Sequence, residues 1–184
     1  MGDRDLRELE RRFRETGSLE DEQAWFGERL RTGEHAGVLS ALESEIGQNN
    51  LGEPAGIFRG WCLEGGETED SMTRIERALA AGGFTLSGEL QPMDRHAAQR
   101  LIAWRSHRTS AYEVELRSPE DAARFARRFL DLLPSCARYF SNLMPGWSES
   151  GFVSTCHITG HTFEDGVLAD AGSFVAMAWF MDED

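Results

Sequence analysis

The chain contains no lysine: all 19 basic side chains are arginine, set against 32 acids, for a net charge of −13 over 184 residues. An acid excess of that size repels phosphate backbones, which argues against nucleic-acid binding through a basic face and favours a basic protein partner or a cation. Cysteine is scarce as well. Cys62, Cys136 and Cys156 are an odd number with no C-x-x-C spacing, which excludes a disulfide framework and fits a reducing, cytoplasmic compartment. No apolar run approaches the roughly 18 residues of a membrane span, and the first thirty residues are too charged for a secretory leader. The motifs G-x-G-x-x-G, G-x-x-x-x-G-K and H-E-x-x-H are all missing, so the expected cofactor is none. What is present, 40% apolar and 28% charged residues, is enough to bury one ordinary core. The arginine, alanine and glycine bias points to a GC-rich bacterial genome.

The pattern along the chain divides it into a helical segment, 1–50, and a second unit, 57–184, joined by a Gly-, Asn- and Pro-containing linker. Leu6, Leu9 and Phe13 recur at helical spacing, Gly17 breaks that helix, and Ser18 with Asp21 resembles a capping box for a second stripe of Leu19, Gln23, Phe26 and Leu30. Val38, Leu39, Leu42 and Ile46 predict a third helix stopped by Gly47. The apolar run 57–63 is too short to classify. Met72, Ile75 and Leu79 predict a helix from Asp70, Asp94 caps another through Leu101 and Trp104, and Ser118-Pro119-Glu120-Asp121 starts a third with Phe125 and Phe129 on its apolar face. Alternation predicts strands at 84–87, 112–116 and 152–163, and 135–144 reads as a further helical turn. In 173–181 both faces are apolar, which predicts an interior strand covered on both sides. The expected fold is α+β: a helical amino-terminal arm, then helices packed on a mainly antiparallel sheet of four to five strands.

The densest cluster of chemistry-bearing residues is Cys156-His157-Ile158-Thr159-Gly160-His161, followed by Glu164 and Asp165. Cysteine and imidazole are zinc ligands, making Cys156, His157 and His161 the metal candidates, with His107 or Cys62 as a further ligand. On a continuous strand His157 and His161 would lie roughly 13 Å apart at about 3.3 Å per residue, too far to share an ion unless Gly160 turns the chain. His107-Arg108-Thr109 and His157-Ile158-Thr159 are both H-x-T, which resembles the paired motif of two-histidine phosphoesterases. That resemblance spans six residues and implies acid/base histidines with phosphate-binding threonines. Arg108 and Gly160 depart from the apolar flanks of those motifs. Gly146-Trp147-Ser148-Glu149-Ser150 approaches a nucleophile elbow but carries serine in place of its last glycine and sits before a strand. Cys136 and Cys62 have apolar neighbours and read as buried, inert thiols.

The charge layout carries the functional expectation. No base follows Arg138, and the last 46 residues hold seven acids: Glu149, Glu164, Asp165, Asp170, Asp182, Glu183 and Asp184. With Glu164-Asp165-Gly166 read as a loop, these acids predict an anionic rim that docks a basic protein, as an inhibitor, immunity or regulatory protein would. The alternatives are a hydrolase using His157 with His161 or His107, and a self-assembling module that dimerises through the N-terminal helices.

Overall fold

A computed structural model describes residues 3–32, 36–46, 55–63, 69–109, 114–144, 154 and 156–182. Among these residues six helices, α1 (Asp3–Thr16), α2 (Leu19–Arg31), α3 (Ala36–Ile46), α4 (Ser71–Ala81), α5 (Arg95–His107) and α6 (Pro119–Asp131), accompany seven strands. The strands are β1 (Gly56–Cys62), β2 (Ser87–Gly88), β3 (Gln91–Met93), β4 (Arg138–Ser141), β5 (Cys156–His157), β6 (Phe163–Asp170) and β7 (Phe174–Asp182). Five of them form an antiparallel sheet in the order β1-β7-β6-β4-β3, and β2 pairs with β5 in a separate two-stranded ladder. The fold is α+β, as the pattern predicts. No helix among the described residues is long and apolar enough to cross a membrane.

Strand pleating sends alternate side chains to opposite faces, and here both faces are covered. On β7, Phe174, Ala176, Ala178 and Phe180 join a core with Phe26 of α2, Leu39 and Leu42 of α3, Leu101 of α5 and Phe125 and Phe129 of α6. Val175, Met177, Trp179 and Met181 face the other way, onto Ile75 and Leu79 of α4, Leu90, Cys156 and Ile158. This double burial explains why β7 is apolar from Phe174 to Met181. The amino-terminal helices share the first core, so Phe26, Leu39, Leu42 and Ile46 are continuous with the sheet across the 48–56 segment.

Local chemistry sets the helix ends. Asp70 accepts from the backbone N–H of Met72 and Thr73, and Asp94 accepts from that of Ala97. Ser118 accepts from the Asp121 N–H at 3.1 Å with Pro119 in the first turn, satisfying donors that have no partner within the helix. Ser118→Ala is expected to lower stability by about 1 kcal/mol, read as a shift of the urea midpoint with unchanged slope.

Four predicted elements differ, and in one of them, the strand at 152–163, only Cys156–His157 and Phe163 of the described residues are extended in strands. The 135–144 segment is not helical but holds β4, whose Tyr139 and Phe140 point to opposite faces of the sheet. A strand of two covered faces has no 3.6-residue period to betray it, so a short apolar run is ambiguous between the two states. In 84–87 only Ser87 enters a strand, because Phe84 and Leu86 roof the second core instead. Within 112–116, residues 112 and 113 lie outside the described residues, and Glu115 makes a single bridge with Arg108. Cys136 is exposed rather than buried, since the chain there is a turn before β4 and not a packed helix.

Candidate functional site

Glu164-Asp165-Gly166, read as a loop, lies within β6 (Phe163–Asp170), an interior strand between β7 and β4. Glu164, Asp165, Asp170 and, on β7, Asp182 are each at most 2% exposed, so they do not form a rim. Glu149, Glu183 and Asp184 lie outside the described residues, as does the 146–150 elbow-like segment. Gly166 has a reason other than turning. The Trp179 indole crosses above it, and a Cβ there would sit 2.7 Å from that ring and 2.3 Å from the Ala178 carbonyl oxygen.

Asp165 and Asp170 each have a specific counterpart. Arg105 of α5 grips Asp165 with both Nε, at 2.7 Å, and Nη2, while its guanidinium lies over the Trp104 ring. Burial pushes the Asp165 carboxyl above its usual range, against the pull of Arg105. On the opposite face Arg74 of α4 donates to Asp170 through Nε at 2.9 Å and Nη2 at 2.6 Å, joined by the Ser71 hydroxyl and the Gly172 N–H. Two ion pairs thus tie one helix to each side of β6. A signal for them exists in the sequence: Arg105 continues the Ala98, Leu101, Ile102 stripe of α5, and Arg74 sits on the α4 face of Ser71, Ile75 and Ala78. A cation at an apolar position of a helix calls for a buried anion opposite.

Glu164 has no arginine; instead it organises the candidate metal cluster. Its carboxylate accepts from the Ile158 and Thr159 N–H groups, both at 2.8 Å, from the Thr159 hydroxyl, and from Trp179 Nε1 at 3.1 Å; His157 Nδ1 lies 3.0 Å away. Burial alone would raise its pKa, but these donors hold the carboxyl below the usual range. Gly160, at φ +83°, turns the chain within this wrapped loop, so His157 and His161 are not on a continuous strand. Among the described residues no three of His, Cys, Asp and Glu converge to hold a metal ion. Cys156 lies buried, its thiol pushed up to about 11 by burial and the nearby Glu164 charge.

The two H-x-T motifs are not brought together. His107, at the end of α5, is held by the Arg117 carbonyl at 2.6 Å, and the Thr109 hydroxyl accepts from the Val114 N–H. His157 sits between Cys156 and Ile158, which belong to the core on the far side of the sheet from α5. Both threonines serve local turns, Thr159 through its bond to Glu164. Cys62, half-buried on β1, packs against the α5 side.

What the Glu164-anchored loop does border is an open groove of about 510 Å³. Ile57, Phe84, Ile158 and Met181 supply apolar lining, and Thr159, His161, Arg59 and Glu43 supply polar groups. Glu43 of α3 also closes the exposed edge of β1, accepting from the Phe58 N–H at 3.0 Å and pairing with Arg59. An edge strand covered in this way is protected from adding a foreign strand. The groove can therefore accept a side chain with an apolar body and a polar end, rather than a whole strand. No family model, curated protein or solved structure matches this chain.

Proposed function

We propose that the protein is a noncatalytic binding module for a basic protein partner, in the manner of an inhibitor, immunity or regulatory protein of a bacterial cytoplasm. One observation carries the reading. Each buried arginine–aspartate pair removes one charge of each sign from the surface, so these pairs leave the acid excess of the chain, net −13, undiminished outside. That excess acts at long range on a cationic surface. The groove bounded by Ile57, Phe84 and His161 supplies the contact at short range, taking an apolar side chain of the partner. Affinity capture with the intact chain at low and high salt tests this, alongside the variant Ile57→Arg, which places a cation in the groove. A basic protein captured at low salt, released as salt rises and lost with the variant is the expected result. A captured partner indifferent to both salt and variant would overturn it.

A second reading, a hydrolase using His157, draws on one contact: Glu164 lies against Nδ1 of a half-exposed imidazole, the orientation by which a carboxylate presents the other ring nitrogen as a base. Ester and phosphate-ester substrates turned over by the intact chain and not by His157→Asn would support it.

A further inference from the structure

The end of α3, residues 116–117 and α6 enclose a second groove of about 570 Å³. Its charged lining is three arginines, Arg117, Arg124 and Arg128, and two acids, Glu45 and Asp121, so a net positive concavity stands on a chain of net charge −13. Arg117 is the fixed element. Its side chain is only 12% exposed, its guanidinium lies over the Phe125 ring, and Nη2 donates to the Glu45 carbonyl at 2.7 Å. Its Nε is buried with no hydrogen-bond partner. A buried donor left unused is costly, and burial lowers the Arg117 pKa against the pull of Glu45; that carboxylate stands 3.7 Å from Nη1, beyond hydrogen-bond distance, and is shared with Arg128.

We propose that this groove binds a small phosphate monoester, with Arg117 as the fixed anchor and Arg124 and Arg128 as the closing pair. Arg124 and Arg128 stand one turn apart on one face of α6. Their present partners are Asp121 for Arg124 and Glu45, at 2.5 Å, for Arg128. Both arginine side chains are more than half exposed, and surface pairs of that kind exchange readily for a better acceptor. Three guanidiniums match the three acceptor oxygens and near-double charge of a phosphate monoester better than they match a carboxylate, which offers two oxygens and one charge. The volume is that of a small-molecule site. The negative field of the whole chain opposes an extended polyanion.

The test uses the full chain titrated with phenyl phosphate, inorganic phosphate, benzoate and a phosphotyrosine peptide, followed by calorimetry and by the Arg117 Nε–H resonance. Phenyl phosphate is expected to move that resonance and to bind roughly tenfold tighter than benzoate. The double variant Arg124→Gln, Arg128→Gln alters exposed side chains and keeps the stacked Arg117, so it should melt like the parent while binding phenyl phosphate about tenfold more weakly. An unmoved resonance at millimolar probe, equal binding by the double variant, or benzoate binding as tightly as phenyl phosphate would overturn the site. A phosphotyrosine peptide binding tenfold tighter than phenyl phosphate would overturn the small-molecule assignment.

Discussion

Replacing Arg105 by methionine is expected to lower the unfolding free energy by about 3–5 kcal/mol, the range for removing one partner of a buried ion pair. The size follows from what is left behind. Asp165 is fully buried in β6, and its two oxygens lose the Nε and Nη2 donors that satisfy them. The variant carries its own pH signature. Without its cation, the Asp165 carboxyl has a native pKa raised far above its unfolded value, so the folded state binds the proton more readily than the unfolded chain. The deficit is therefore greatest at neutral pH and shrinks on acidification toward that raised pKa. Asp165→Asn in the Arg105→Met background should restore part of the loss, since a neutral amide replaces the stranded charge. Denaturant melts of the parent, single and double variants across pH 5–8 provide the check; additive losses in the double variant would contradict a direct pair.

Removing the Glu164 carboxylate is the second large effect. Glu164→Ala leaves the Ile158 and Thr159 N–H groups and the Trp179 indole N–H without their acceptor. An unsatisfied buried donor costs about 1–3 kcal/mol, and water entering the opened loop reaches the two backbone groups more easily than the buried indole. A net loss of about 3 kcal/mol is expected, with a change in Trp179 fluorescence marking where it arises. The pH dependence has the opposite sign to that of the Arg105 variant. Because its native pKa is depressed, the stabilisation from Glu164 is fully present above the ordinary glutamate value of about 4.3. It fades as pH falls from there through the native value. Glu164→Gln removes this ionisation, so the parent and the variant should converge in stability at acid pH. A constant gap from neutral to acid pH would show that the carboxylate charge is not what holds the loop.

These two side chains also show where local reading stops. Glu164-Asp165-Gly166 has the composition of a turn, and nothing within a few residues says otherwise. Asp165 is neutralised by an arginine 60 positions away in the chain, and Asp170 by one 96 positions away. The two arginines could have been noticed, because each occupies a place in a helix stripe that apolar residues otherwise fill, but neither names its partner. The histidine cluster is a similar case. Gly160 leaves open a turn that would draw His157 and His161 together, yet the turn is built around the Glu164 carboxylate, and among the described residues no three metal-ligating side chains gather there. The groove beside it joins residues from α3, β1, the 83–84 turn and the 158–161 loop, a set with no sequence proximity.

By itself the sequence determined the helices, because caps such as Asp70, Asp94 and Ser118 and the 3.6-residue stripes act over a turn or two. It also determined that 173–181 lies inside a sheet, because apolar residues on both faces of a strand must be covered twice. Only the tertiary structure decided whether Asp165 and Asp170 meet solvent or arginine. A carboxylate is stable in either setting, and which one it occupies depends on charges that folding alone brings within 3 Å.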